Sequence, residues 1–464
     1  MDGRTSKVIR YPEMIFQSLT RSCEIGANSY RLDIEGVTLV LDAGMHPGQD
    51  GEAALPDLSH LPPGEADAIL LTHAHLDHLG SLPVIMREQE NVPVFMTETT
   101  GALADAMLHN SVNVMGHKVN QGSLKSAFFD HREIDTQRKR WDYRKPNEPF
   151  TVPGHGNVTL EFFDSGHVAG SAGVLIEAGG KRIFYTGDVH FEDQTVSCAA
   201  DFPDDLGIDI MIVETTRGAS PRAENYTRDR EIQNLADAMC EAIERGGSVL
   251  MPVFALGKTQ EMLIVLHELK SRGILTDADV YIGGLATKVT QIFDRHRRRT
   301  RRHYSDMKIL RDTDVVVSSK KRSNHFSYEP GNIYALSSGM MTEKTVSNQF
   351  AFHFLDNPRN AILFVGYCAP DTPAARILAA EKDDLITLDA NLAPVELKCD
   401  VQRFDFSGHA PRDGIADFVE RMAPSTVLLV HGDAEATAWF DTTLSARLPD
   451  ATIITPKPGE RIEL

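Results

Sequence analysis

Residues 73–78 read His-Ala-His-Leu-Asp-His, and they come directly after a short apolar segment, Ala68-Ile69-Leu70-Leu71. An apolar segment of this length is typical of a buried strand, so three imidazoles and a carboxylate are predicted at a strand end. Neutral imidazole together with carboxylate suits zinc best among the first-row metals. The alternative, a chance cluster of surface histidines, fits poorly with an apolar strand so close in sequence.

The positions within this motif predict two metal ions. Alternate side chains of a strand share one face, so His73 and His75 are predicted to reach one metal, and Asp77 and His78 a second. Further ligands are needed, and a rigid sheet positions them well where strands end. Three more polar residues come directly after predicted strands: His167, Asp188 and His431. Two zinc ions would activate water and stabilise negative charge on a phosphoryl or carbonyl oxygen, which predicts a hydrolase.

The composition limits the class of protein. With 464 residues and 42% hydrophobic residues, the chain is predicted to form two or more domains. The five cysteines are scattered without a Cys-x-x-Cys pair, which disfavours a disulfide framework or a cysteine zinc site and favours the reducing cytoplasm. The first eleven residues lack the apolar core of a signal peptide, and no stretch approaches the ~18 apolar residues that span a bilayer. We therefore expect a cytoplasmic protein without a membrane partner.

The pattern of elements changes after Glu214. Before it, short strands with turns predominate, and the polar residues 116–158 are expected to form an irregular surface excursion. After it, helices predicted at 228–245 and 258–272 alternate with strands such as 248–253. Such alternation indicates βαβ units in a mostly parallel sheet.

The motif at 73–78 resembles the signature of the metallo-β-lactamase superfamily, and Asp42 in Leu41-Asp42-Ala43-Gly44, His167, Asp188 and His431 occur in the matching order. Four other stretches resemble motifs of its β-CASP branch: Pro-Val-Phe-Ala-Leu-Gly-Lys-Thr-Gln-Glu at 252–261, Ser337-Ser338-Gly339-Met340, Gly366-Tyr367 with Ala369-Pro370, and Phe406-Ser407-Gly408-His409-Ala410. The resemblance implies an α/β fold: an αββα metallo-β-lactamase sandwich formed by residues 1–217 and 396–464, with a β-CASP α/β domain inserted at 218–395.

The resemblance also implies roles for individual residues. His73, His75 and His167 would bind one zinc ion, Asp77, His78 and His431 the other, and Asp188 would bridge the two. The residues expected to be catalytic are Asp77, Glu214 and His409, with His409 as general acid. The residues expected to bind substrate are Lys258, Ser337, Ser338 and Gly339, although Lys258 stands where many members have arginine and so lacks a bidentate fork.

β-CASP nucleases include the RNase J and cleavage-and-polyadenylation endonuclease types, so the resemblance implies a zinc-dependent ribonuclease of endo- and/or 5′-exonuclease mode, acting in RNA processing or decay. In that family, a histidine at the position of His431 accompanies RNA substrates. A histidine of near-neutral pKa can protonate a leaving 3′-oxygen, and Glu214 beside His409 would stabilise the charged imidazole. Two alternatives stay open: a two-zinc hydrolase of DNA or a small phosphodiester, and a non-catalytic RNA-binding relative. The last predicts lost ligands, and none is lost.

Single-stranded RNA is the expected partner, and the sequence is compatible with a homodimer. The formal charge of −19, from 47 basic and 66 acidic residues, argues against a uniformly basic surface but not against a local basic groove. An arginine-rich stretch could bind phosphates or simply end a solvated helix. Its members are Arg295, Arg297, Arg298, Arg299, Arg301 and Arg302, and further along come Lys320, Lys321 and Arg322.

Overall fold

The computed structural model describes residues 14–275, 278–317 and 328–464. The strands are β1 Ile15–Ser18, β2 Tyr30–Ile34, β3 Val37–Leu41, β4 Ala68–Leu70, β5 Val94–Met96, β6 Trp141–Tyr143, β7 Phe150–Val152, β8 His155–Asp164, β9 Ala172–Ala178, β10 Lys181–Tyr185, β11 Ile210–Glu214, β12 Val249–Pro252, β13 Val280–Ile282, β14 Val315–Val317, β15 Ile333–Leu336, β16 Ala361–Phe364, β17 Leu385–Ile386, β18 Val395–Glu396, β19 Asp400–Arg403, β20 Thr426–Val430, β21 Thr452–Ile454 and β22 Arg461–Glu463. The helices are α1 Leu76–Leu79, α2 Leu82–Glu88, α3 Glu98–Asn120, α4 His131–Gln137, α5 Arg228–Glu244, α6 Lys258–Ser271, α7 Leu285–Arg295, α8 Ile309–Asp312, α9 Val346–Ala351, α10 Pro373–Ala379, α11 Arg412–Met422 and α12 Ala434–Arg447.

Two mixed sheets of seven strands form the first part of the structure. The first has the order β22-β1-β2-β3-β4-β5-β6 and the second β21-β20-β11-β10-β9-β8-β7. Of the strands that carry predicted ligands at their ends, β4 runs parallel to β3, and β10 and β20 both run parallel to β11. Strand β8 is antiparallel to β9, which is antiparallel to β10, so β8 has the same direction as β10. The carboxyl ends of parallel strands lie at one edge of a sheet, so the ligands gather there.

The two sheets pack face to face and are covered by helices. Their shared core contains Phe16 and Leu39 from the first sheet with Phe162 and Ile212 from the second, all fully buried. On the outer face of the first sheet, α2 and α3 bury a second apolar cluster, and α11 and α12 do the same on the second sheet. The resulting layers are helix, sheet, sheet and helix, as expected for the αββα sandwich.

A third sheet of six strands is built from the residues between β11 and α11. Its order is β14-β13-β15-β12-β16-β19, and every pairing is parallel. Helices α5 and α6 cover one face and α9 and α10 the other. The predicted helix–strand alternation and parallel sheet are therefore confirmed. The domain bounds stay a prediction, and β19 lies beyond the predicted boundary at residue 395.

Residues 116–158 are not the irregular excursion that their polarity predicted. Helix α3 continues to Asn120, α4 comes next, and β6 and β7 extend the edges of the two large sheets. The segment is anchored by single apolar side chains, Phe129, Ile134, Trp141 and Phe150, which are all buried. Such isolated anchors are too sparse to produce a detectable period in the sequence.

None of the helices within the described ranges is long and apolar enough to cross a membrane.

Gly44 allows two backbone segments to approach closely beneath the histidine motif. A Cβ atom added at Gly44 would lie 1.8 Å from the carbonyl oxygen of Asp77 and 2.4 Å from the amide nitrogen of Asn28. Both neighbours are backbone atoms, and Asn28 itself donates to the Asp77 carbonyl at 3.0 Å. The position therefore has no room for a side chain.

We predict that Gly44→Ala lowers the free energy of unfolding by about 3 kcal/mol, because the methyl group must displace main chain rather than a flexible side chain. Urea denaturation would measure the loss. Gly116→Ala is the control, because its added methyl meets nothing within 4 Å, and it should gain about 0.5–1 kcal/mol inside α3. Equal stability of the two variants would contradict the prediction.

Candidate metal centre

Seven of the predicted site residues lie together where strands of the two large sheets end. His73 comes after β4, His75 is the N-cap residue of α1, and Asp77 and His78 lie within α1. From the second sheet, three residues project into the same space after β8, β10 and β20: His167, Asp188 and His431. Residues far apart in sequence thus reach one buried point.

The first group contains His73, His75, His167 and Asp188, whose ligand atoms all lie within 4.8 Å of one another. The Nδ1 atom of His75 lies 3.1 Å from Nε2 of His73 and 3.1 Å from Nε2 of His167. Oδ2 of Asp188 lies 3.4 Å from His73 Nε2 and 3.5 Å from His167 Nε2. Three imidazole nitrogens and a carboxylate oxygen therefore face one small volume.

The second group contains Asp77, His78 and His431. Oδ2 of Asp77 lies 3.4 Å from His431 Nε2 and 3.9 Å from His78 Nε2. The other oxygen of Asp188, Oδ1, lies 3.2 Å from His78 Nε2. Asp188 thus presents one oxygen to each group, which is the arrangement that a bridging ligand requires.

The chemical state of these groups fits metal binding. Burial lowers the pKa of His73, His75 and His167, so these imidazoles are neutral and keep a lone pair. His78 Nε2 and Asp188 Oδ1 are buried without a hydrogen-bond partner in the described structure, although they lie close together. Unsatisfied buried donors and acceptors are rare in proteins, and a cation between the groups would satisfy both.

The second ring nitrogen of each of these histidines lies close to an oxygen atom. Nδ1 of His73 lies 3.1 Å from the Thr72 hydroxyl, Nδ1 of His167 lies 2.8 Å from the Gly408 carbonyl, and Nδ1 of His431 lies 2.7 Å from the Thr216 hydroxyl. His75 instead turns Nε2 towards the Leu256 carbonyl at 3.4 Å. Such outer contacts fix the ring orientation of metal-binding histidines.

Asp42 is a fully buried carboxylate beneath the centre, and the sequence patterns assigned it no role of its own. It lies 2.8 Å from Nδ1 of His78 and accepts hydrogen bonds from the Thr72 hydroxyl and the Tyr185 hydroxyl. Burial lowers the pKa of His78, but the carboxylates of Asp188 and Asp42 outweigh burial and raise it well above its usual value. The sequence did contain a signal for Asp42, because this carboxylate directly follows the apolar strand β3. Its partner Tyr185 ends β10 and could not be distinguished from an ordinary core residue.

Glu214 and His409 form a pair beside the metal-binding groups. Nδ1 of His409 lies 3.0 Å from one Glu214 oxygen and 3.9 Å from Asp188 Oδ2. Glu214 is buried at the end of β11, and it also accepts a hydrogen bond from the Val189 amide. Burial lowers the pKa of His409, but Glu214 and Asp188 outweigh burial and raise it to about 9.

The loop that carries His409 comes after β19, so it belongs to the carboxyl edge of the six-stranded sheet. Lys258 is buried at the start of α6 and donates a hydrogen bond to the carbonyl of Phe406. Arg217 forms a bidentate ion pair with Asp405 in the same loop, at 3.1 and 2.6 Å. The described contacts of Lys258 thus position this loop.

Ser337, Ser338 and Gly339 come after β15 at the same edge of the six-stranded sheet. A Cβ atom at Gly339 would lie 2.8 Å from the Phe254 ring, so the glycine is required for close packing. The described hydrogen bonds of Ser338 run to Met341, Thr342 and Ser347 and not to the proposed metal ligands.

The arginine-rich stretch is largely engaged within the protein. Arg298 pairs with Asp306, Arg299 with Glu98 and Arg301 with Asp201. Arg302 is buried against the ring of Phe293. Arg302 is therefore part of the packed structure, whereas Arg298, Arg299 and Arg301 stay exposed in their ion pairs. Lys320, Lys321 and Arg322 lie outside the described residues.

Three family models match the chain in succession. Residues 24–232 match the metallo-beta-lactamase superfamily, residues 259–377 match the Beta-Casp domain, and residues 394–456 match the Zn-dependent metallo-hydrolase RNA specificity domain. The chain is a β-CASP protein of the metallo-β-lactamase superfamily. The predicted family and fold class are therefore confirmed. For this β-CASP protein, membership implies metal binding, and the seven residues could hold the metal.

Curated relatives are similar over most of the β-CASP protein. Endoribonuclease ysh-1 of Neurospora crassa is 29% identical and covers 91% of the chain, which spans 52% of that relative. Cleavage and polyadenylation specificity factor subunit 3-I of Arabidopsis thaliana is 28% identical over 97% of the chain and 64% of its own length. Probable RNase MJ4 of Methanocaldococcus jannaschii is 27% identical and matches over 97% of the chain and 100% of its own length. The chain thus spans little more than half of several longer relatives.

A solved structure shares the fold of the β-CASP protein. It is a protein of unknown function from Enterococcus faecalis, with a TM-score of 0.57 and 13% identity over 97% of the chain and 100% of its own. At this identity the likeness supports the architecture alone.

We predict that Asp42→Asn weakens zinc binding about 10–100-fold, because the neutral amide cannot hold the Nδ1 side of His78 as the carboxylate does. Competition with a chromophoric chelator would measure the affinity. Asp33→Asn is the matched control, because the Asp33 carboxylate pairs instead with Arg31 within β2 and with the Thr38 hydroxyl. Wild-type affinity in Asp42→Asn would show that this carboxylate does not support the metal site.

Proposed function

We propose that this chain is a two-zinc ribonuclease that hydrolyses phosphodiester bonds in single-stranded RNA during RNA processing or decay, and that it acts in the cytoplasm. The observation that carries the proposal is the Glu214–His409 pair beside Asp188. His409 is not needed to complete either group of ligands, yet it is held at their edge. A proton donor at that place is what cleavage of a phosphodiester requires.

The proposed metal ligands are His73, His75 and His167 for one zinc ion, Asp77, His78 and His431 for the other, and Asp188 between them. Bound zinc would supply an activated water and would neutralise negative charge on the phosphoryl oxygens. Asp77 is also proposed as a catalytic residue, because it is the most exposed ligand of its group and borders the open side of the centre.

The residues of the chain supply proton transfer and orientation. Glu214 engages Nδ1 of His409, so Nε2 is the nitrogen left to donate a proton to the leaving 3′-oxygen. The buried Glu214 also stabilises the charged imidazole before transfer. Lys258 holds the Phe406 carbonyl and Arg217 holds the Asp405 carboxylate of the same loop, so the imidazole is positioned from both large parts of the protein.

Substrate preference is proposed from the segment that surrounds these groups. The RNA specificity match at 394–456 contains both His409 and His431, and ysh-1 is named an endoribonuclease. We propose that RNA lies along the carboxyl edge of the six-stranded sheet, where Ser337, Ser338 and Gly339 could hold a phosphate through hydroxyl and amide donors. Lys258 would contribute positive charge from beneath this edge.

We predict that zinc-loaded protein cleaves labelled single-stranded RNA and leaves matched DNA intact. Asp77→Ala should abolish cleavage because it removes a ligand, and His409→Ala should slow it about 10²–10⁴-fold because it removes the proton donor. His117→Ala on the exposed face of α3 is the control and should cleave at the wild-type rate. Gel electrophoresis of the products under single-turnover conditions gives the rates.

The same assay tests the two alternatives. Cleavage of DNA alone would overturn the RNA assignment, and cleavage of neither polymer by zinc-loaded protein would support a non-catalytic RNA-binding protein. A covalently closed circular RNA distinguishes endonuclease from 5′-exonuclease cleavage, because only an endonuclease can open it. Metal analysis of each variant shows whether lost activity reflects lost zinc or lost proton transfer.

A further inference from the structure

A separate cluster of residues with side chains that could hold a metal ion lies where the two-sheet part meets the six-stranded part. Asp193, Cys198 and His303 each present one ligand atom, and these atoms lie within 4.8 Å of one another. Asp193 and Cys198 belong to the segment between β10 and β11, whereas His303 lies after α7 in the inserted part. The cluster therefore spans the contact between the two parts.

Main-chain hydrogen bonds place these residues opposite one another. The amide of His303 donates to the carbonyl of Val196 at 2.9 Å, and the amide of Cys198 approaches the carbonyl of Arg301 at 3.4 Å. The two segments thus make a short antiparallel contact. The positions of Cys198 and His303 are set by this contact and do not depend on flexible side chains.

The segment carrying Asp193 and Cys198 is also fixed to the inserted part from the other side. The carboxylate of Glu261 on α6 accepts hydrogen bonds from the amides of Thr195 and Val196 at 2.7 and 2.9 Å. Because both backbone segments are already fixed, metal binding would cost the cluster little conformational entropy.

The side chains are those that zinc prefers. Nε2 of His303 lies 3.6 Å from Oδ1 of Asp193, and Cys198 is half-buried beside them. Cys23 and Cys240 donate hydrogen bonds to backbone carbonyls, whereas the Cys198 thiol has no such partner among the residues described. Zinc bonds of about 2.0–2.3 Å in a tetrahedron place ligand atoms roughly 3.3–3.7 Å apart, so only small rotations are needed.

We propose that Asp193, Cys198 and His303 form a third zinc site, with water in the fourth position. On binding, the Cys198 thiol releases its proton to solvent and the sulfur coordinates as thiolate. The bound ion would join the segment before β11 to the inserted part by bonds rather than by packing alone.

This site would also stabilise the main metal centre. Gln194 lies next to Asp193, and its side-chain amide donates to the carbonyls of Gly166 and His167 at 3.0 and 3.1 Å. His167 is one of the proposed zinc ligands. Fixing the segment around Gln194 therefore fixes the turn from which that ligand projects.

Cobalt substitution tests the proposal. The seven residues of the main centre include no cysteine, so a thiolate-to-cobalt charge-transfer band reports on a sulfur ligand elsewhere. We predict this band in the wild-type protein loaded with Co²⁺. Cys198→Ser should lose the band together with about one equivalent of metal per chain. Cys240→Ser, which removes another half-buried thiol, should keep both.

Two further variants test the site if Cys198→Ser folds poorly. Asp193→Asn and His303→Gln change exposed side chains on opposite sides of the contact, and each should lower occupancy of the third site. Absence of the band in the wild-type protein, its survival in Cys198→Ser, or equal metal content in these proteins would overturn the proposal. Since the readout is absorption and metal content, its failure is independent of any result on RNA cleavage.

Discussion

A buried carboxylate surrounded by imidazoles is the constraint on which the structure depends. Asp188 is 2% exposed, and its two oxygens lie within 3.6 Å of nitrogen atoms of His73, His167, His78 and His431. A buried ion costs several kcal/mol unless it is paired. Burial keeps His73 and His167 neutral, whereas at His78 and His409 burial is outweighed by carboxylates, Asp188 among them, which raise the pKa. These histidines come from both large sheets and from the loop after β19, so all three must converge to surround the carboxylate.

The inserted part completes this site rather than merely covering it. The Leu256 carbonyl faces His75, the Gly408 carbonyl faces His167, and His409 contacts Glu214, so three contacts cross to the two-sheet part from loops at the carboxyl edge of the six-stranded sheet. A parallel sheet brings the ends of its strands to one edge, and that edge meets the strand ends of the sandwich. Two sheet edges facing each other thus form the site and the proposed RNA path together.

Contiguous motifs and strand ends were the features that could be predicted from the sequence. The motif at 73–78 is contiguous, and His167, Asp188 and His431 each come after an apolar strand, so physical reasoning could group them. The catalytic roles of Glu214 and His409 were predicted only from the family resemblance, because no local sequence pattern marks either residue. The support given by Asp42 and the contact between Lys258 and Phe406 need the tertiary structure. The same holds for Cys198 and His303, whose proximity depends on a contact between distant segments.

The carbonyl contacts from Leu256 and Gly408 have a consequence for how such a protein can be divided. A fragment made only of the two-sheet part would keep every proposed zinc ligand, yet it would lose the groups that orient His75 and His167. Its imidazoles would be free to rotate, and the buried ends of both sheets would be exposed to water. The insert is thus not a removable module, because without it the proposed metal centre lacks the groups that orient two of its histidines.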